Sequence, residues 1–100
     1  MVKYEKKLYK FIGFEKGSYP KKYNAILQNR ETKREVKVPF GDRNLPQYKD
    51  STGLGLYTKK NTLDKNKRRQ FRARFSGLKQ KQNWNKEFTS LYFSWRFLWI

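Results

Sequence analysis

A chain of 100 residues with 25 Lys and Arg against 8 Asp and Glu carries a formal charge of +17, and it has length for one small domain but not two. Cys and His are both absent, which excludes a disulfide framework, thiolate or imidazole metal ligands, a cysteine nucleophile and the usual general base at neutral pH. Apolar residues make up only 36% of the chain, yet aromatics reach 18%, far more than disordered chains carry, so a thin, aromatic-rich core with basic arms is expected.

Residues 1–22 hold seven Lys and two Glu. Met1 to Lys7 never enters an apolar run, which argues against a secretory signal, and no stretch approaches the twenty apolar residues of a spanning helix. Leu8, Tyr9, Phe11, Ile12 and Phe14 form an apolar patch with no clean period. Residues 1–22 are therefore read as a basic, partly ordered N-terminal arm, a short strand or an arm packed on the domain, with a single domain over 23–100. Gly17, Ser18, Tyr19 and Pro20 read as a turn.

Tyr23, Ala25 and Leu27 alternate with Asn24, Ile26 and Gln28, and Val36, Val38 and Phe40 repeat the pattern against Glu35, Lys37 and Pro39, which is the period of two that defines a strand. The polar stretch 29–34 between them suits a β-hairpin connection. Pro39 cannot donate to a ladder, so it marks a strand end or an edge. A helical turn is expected near 46–49. Gly53 and Gly55 permit a shaped loop, with Leu54, Leu56 and Tyr57 expected to anchor it in the core. Gly53-Leu54-Gly55 lacks the spacing and the Gly-Lys-Ser/Thr ending of a phosphate loop and is read as a turn.

Asp64 is a good N-cap for a helix over 64–75, with Phe71 and Phe75 sharing one face and Arg68 and Arg72 another. Gly77 is expected to stop that helix, and residues 79–83 read as a polar linker. Ser90 is a candidate cap for a short aromatic helix at the C-terminus, with a strand as the alternative for the same residues.

Ten basic residues fall within 59–81: Lys59, Lys60, Lys65, Lys67, Arg68, Arg69, Arg72, Arg74, Lys79 and Lys81. Asp64 is the only acid among them, so this segment holds more than half of the net charge. A bland reading makes it the solvated outside of an amphipathic helix, but solubility needs no excess this large. Self-repulsion at such density opposes compaction and is relieved by a polyanion. Guanidinium forks grip phosphate through two hydrogen bonds, and no base-reading motif accompanies them, so contacts to nucleic-acid backbones without strong sequence preference are expected. Asp42, Asp50 and Asp64 stand at no recognised spacing for a metal-dependent nuclease, so no enzyme activity and no cofactor or metal are expected. Phe93, Trp95, Phe97, Leu98 and Trp99 are more apolar surface than phosphate binding requires and form the candidate partner-binding surface if they are exposed.

The order of several motifs is similar to that of a family of small, basic proteins, without an established activity, encoded by large DNA viruses and related viral sequences. The resemblance is carried by Phe40-Gly41, Tyr48-x-Asp50 with Thr52, Tyr57 and Thr58, Asp64, Arg68-Arg69-x-Phe71-x-x-Arg74, Trp84, Ser94 and Leu98-Trp99. Family members commonly place His after the position of Arg74, where this chain has Phe75. The resemblance implies a viral setting, in the virion or in the nucleus or cytoplasm of the infected cell, and two roles. One is a genome-associated or other nucleic-acid-binding protein, with DNA the expected target; the other is a minor capsid or internal virion protein that bridges larger proteins through basic loops and the aromatic tail. Nothing in the composition opposes homo-oligomers. The expected fold is a small α+β domain, in which a hairpin or three-stranded antiparallel sheet is packed by the basic helix and the aromatic C-terminal segment.

Overall fold

The computed structural model describes residues 4–100. Its centre is the alternating segment, which forms β3 (Lys21–Asn29) and buries Tyr23, Ala25 and Leu27 on one face. The second alternating run forms β4 (Glu35–Asp42), antiparallel to β3, with Tyr23 opposite Phe40, Ala25 opposite Val38 and Leu27 opposite Val36. Because the buried positions face one another across the ladder, the two patterns fix a single register. Pro39 lies within β4, which is an edge of the sheet, so its missing N–H costs no ladder bond.

The other edge is β2 (Tyr9–Lys16), paired antiparallel with β3. The segment read as an N-terminal arm or short strand packed on a domain of 23–100 thus contributes residues 9–16 to the sheet, and its residues 1–3 lie outside the described residues. The register shifts between Phe11 and Gly13, the signature of a β-bulge, and this shift hides the strand from a period-two search. Phe11 and Phe14 are three apart yet both pack on the same aromatic layer. The short β1 (Tyr4–Glu5) pairs antiparallel with β5 (Glu87–Phe88) and ties the start of the described chain to the region before its C-terminal helix.

The C-terminal segment is α2 (Ser90–Leu98), capped by Thr89 rather than Ser90: the Thr89 hydroxyl accepts from the Tyr92 N–H at 3.0 Å. Ser90 instead donates to the Pro39 carbonyl at 2.7 Å, clamping α2 to the edge strand. Phe93 is the hub of the core, with ring centroids of Phe11, Phe40 and Phe88 at 5.6–5.7 Å. The C-terminal end of α2 is closed by the following loop from the sheet, whose Tyr48 and Lys49 N–H groups donate to the Leu98 carbonyl and whose Ser51 N–H donates to that of Phe97. Gly41 makes this approach feasible: its φ is +75°, and a Cβ there would stand 3.0 Å from Leu98 Cδ1.

The basic helix α1 (Lys65–Lys81) starts as predicted, the Asp64 carboxylate accepting from the N–H groups of Asn66 and Lys67 at 2.9 and 3.2 Å. It runs through Gly77 and takes in most of the expected linker. It buries no residue fully and leans on α2 through Phe71, whose ring stacks on Trp99 at 4.7 Å with only 5° between planes. The domain is thus α+β with a three-stranded antiparallel sheet, and the aromatic helix α2, rather than the basic helix, covers the sheet.

Candidate nucleic-acid interface

The loop between β4 and α1 is shaped by a buried polar network that sequence reasoning missed. Lys22 is 1% exposed and Gln47 fully buried. Lys22 Nζ donates to the Leu45 carbonyl at 2.7 Å and to Gln47 Oε1, while Gln47 Nε2 donates to the Tyr57 carbonyl (2.7 Å) and to Asn61 Oδ1 (2.9 Å). Burial pushes the Lys22 ammonium down to about 8, and the nearby charge of Lys60 pushes in the same direction. Beside it, Tyr23 donates its hydroxyl proton to Asp50 at 2.5 Å, and burial together with that bond pushes the phenol up to about 12. Burial alone would raise the Asp50 carboxyl, but hydrogen bonds from Thr52 and Tyr23 outweigh it and hold the group below its ordinary value. No helical turn forms at 46–49; the one in this loop is the 3-10 turn Thr58–Lys60. Tyr57 packs against the core, whereas Leu54 and Leu56, expected to join it, are exposed.

This network presents Lys59 and Lys60 on the exposed 3-10 turn just before α1. The other eight basic residues of the segment lie on α1 and divide by the helix's period. Arg68, Arg72 and Lys79 turn toward the domain: Arg68 lies over the Tyr48 ring at 4.5 Å, Arg72 over Trp95 at 6.0 Å, and Lys79 Nζ over Trp95 at 4.7 Å. Arg72 Nε is buried without an acceptor. At about 100° per residue, Lys67, Arg74 and Lys81 fall along one flank of α1, and Lys65 and Arg69 along the other. Between these two basic rails runs an exposed, uncharged ridge of Asn66, Gln70, Ala73, Gly77 and Gln80. The ion pairs among the described residues, Lys7 with Glu5 and Lys37 with Glu15, involve none of these groups.

The C-terminal aromatics do not form a free surface. Phe93 and Leu98 are each 1% exposed, Trp95 is buried, and Phe97 and Trp99 pack against the core. The domain consumes its own apolar tail as the layer that covers the sheet. The three aspartates considered for a metal site are also apart in role: Asp42 accepts from the Asn44 N–H, Asp50 from Tyr23 and Thr52, and Asp64 caps α1. Among the described residues, no three His, Cys, Asp or Glu side chains are grouped to hold a metal ion, and no helix is long and apolar enough to cross a membrane. No protein-family model, curated protein or solved structure matches this chain.

Proposed function

We propose that the protein is a non-enzymatic nucleic-acid-binding domain that lays α1 into a groove of a duplex and grips the phosphates on either side. The observation that carries this reading is the division of α1 into two basic rails about an uncharged ridge. A single stripe would suit one backbone, whereas two rails suit the two strands that bound a groove, with the ridge toward its floor. At about 1.5 Å per residue the 17 residues of α1 extend about 25 Å, long enough to cross a groove. The ridge has no Arg or Lys for a guanine edge, and Ala73 and Gly77 carry no side-chain hydrogen-bonding group, so base reading is confined to the amides of Asn66, Gln70 and Gln80, the kind that pairs with adenine, which fits a weak sequence preference. The setting is the viral one that the resemblance implies. The alternative, a minor capsid or internal virion protein bridging larger proteins through basic loops and the aromatic tail, has less support, since Phe93, Trp95 and Leu98 are buried within this domain.

Affinity for a random-sequence duplex should fall steeply with salt, because each neutralised phosphate releases counterions with a log–log slope of about 0.9. With about five phosphates held, raising salt from about 50 to about 200 mM weakens binding roughly 500-fold. Replacing Lys67, Arg69 and Arg74 together by Gln, all exposed and outside the core, should lower the slope by about 2–3 while leaving the circular dichroism spectrum unchanged. A flat salt dependence, or a folded triple variant that titrates like the wild type, would refute the proposal.

A further inference from the structure

A second basic site lies beyond the C-terminal end of α1, where a cavity of about 440 Å³ opens between α1, α2 and the segment that joins them. Three cations reach it from three separate stretches of chain: Lys6 after β1, Lys79 on α1 and Arg96 on α2. No Asp or Glu side chain lines it, and the ion pairs among the described residues include none of the three. Lys6 Nζ and Arg96 Cζ lie over the same ring, Tyr92, at 4.7 and 5.5 Å from its centroid, so the two charges stand no more than about 10 Å apart across one aromatic. Like charges held this close in a concavity cost free energy that an entering anion recovers.

The remaining wall is aromatic and fixed. Trp84 sets its edge against Tyr92 and Trp95 at 5.6 and 5.5 Å. Its indole N–H donates to Gln82 Oε1 at 2.8 Å, and Thr89 donates to the same oxygen at 2.6 Å, so the ring is locked before any ligand arrives. Asn83 and Asn85 place amide groups on the rim. Cations for a phosphate, a partly buried indole over whose ring Lys79 Nζ already lies at 5.3 Å, and amides for a ring edge are the kinds of contact a nucleotide uses. The volume falls within the roughly 300–1,000 Å³ of small-ligand pockets, too small for a duplex end and ample for one nucleotide.

We infer that this pocket receives one unpaired nucleotide of the bound nucleic acid, its phosphate drawn by the cations Lys6 and Arg96 and its base against the Trp84 indole. The inference rests on the nucleic-acid reading above but uses residues that the groove contact does not. A duplex lying along α1 therefore leaves the pocket at its end for a single-stranded continuation, and the protein favours nucleic acid with an unpaired end over a blunt duplex.

The test titrates three probes against the full chain at several salt concentrations: oligothymidylate of about ten nucleotides, a blunt duplex, and the same duplex with an unpaired overhang. In the Lys6→Gln/Arg96→Gln variant, affinity for oligothymidylate and for the overhang should fall roughly tenfold, and the single-strand salt slope should drop by about 0.7. Blunt-duplex affinity should stay at the wild-type value. Should the double variant lose its fold by circular dichroism, Arg96→Gln alone, exposed on α2, must show the same probe-selective loss at smaller size. Equal losses on all three probes, or wild-type binding of oligothymidylate by the folded variant, would overturn the inference. A wild-type protein that ignores the blunt duplex yet binds oligothymidylate through Lys6 and Arg96 would sink the groove reading and leave the pocket standing.

Discussion

Lys22 offers the sharpest test of the tertiary structure, because its chemistry follows from a burial that nothing in its immediate sequence announces. In the unfolded chain its ammonium loses its proton near 10.4; in the folded protein burial brings that down to about 8. Below pH 8 both states are charged, and the fold bears the full cost of keeping a cation out of water. Between about 8 and 10 the unfolded chain still binds the proton and the folded one does not, so stability rises with pH, by at most about 1.4 kcal/mol per unit from this group. Over pH 8 to 9.5 the gain is bounded at about 2 kcal/mol. Above about 10 Tyr23 reverses the trend: its raised value means that the unfolded phenol ionises first, and stability is lost as pH climbs toward 12. Lys22→Met removes the titration; it leaves Gln47 Oε1 and the Leu45 carbonyl without their donor but also relieves the burial of a charge, so the change of the difference with pH, rather than its value at pH 7, is the readout. Urea denaturation of both proteins at pH 7, 8, 9 and about 9.5 reads that difference, in which lysines common to both cancel. Wild-type stability minus that of the variant should rise by about 1–2 kcal/mol across that range. A difference that stays constant or falls would show that Lys22 titrates as a solvated lysine and would refute its burial.

Two glycines should respond in opposite senses. Gly77→Ala replaces an exposed residue inside α1 where an added methyl meets nothing within 4 Å, so it should raise stability by about 0.5–1 kcal/mol in the same denaturation assay; a loss would mean that the helix ends before it. Gly41→Ala forces a side chain into a left-handed conformation at φ +75° and to 3.0 Å from Leu98 Cδ1, so it should cost about 2 kcal/mol or more and lower the melting temperature; a neutral outcome would contradict the seating of α2 on this end of β4.

Local pattern by itself determined the centre of the sheet and the start of α1. The alternations at 23–27 and 36–40 need one buried face, and two such runs joined by six polar residues have one economical pairing. Asp64 announces a helix because its carboxylate can satisfy backbone N–H groups that no other residue reaches. The excess of Lys and Arg was equally legible, since charge needs no fold to be counted. Other features depend on contacts distant in sequence. The bulge beside Phe11 erased the period of β2, and only pairing with β3 shows that 9–16 belong to the sheet. Gly77 weakens a helix by about 1 kcal/mol rather than ending it, and Lys79 over Trp84 and Trp95 holds the last turn in place. The tail could have been core or interface, and the sheet decided by offering Phe93 a site among Phe11, Phe40 and Phe88. Sequence placed ten cations in one segment; packing against Tyr48 and Trp95 turned Arg68, Arg72 and Lys79 inward and left the other five on α1 as two rails. Lys6 and Arg96 lie 90 positions apart and meet over Tyr92 only because β1 pairs with β5, a juxtaposition that no local pattern encodes.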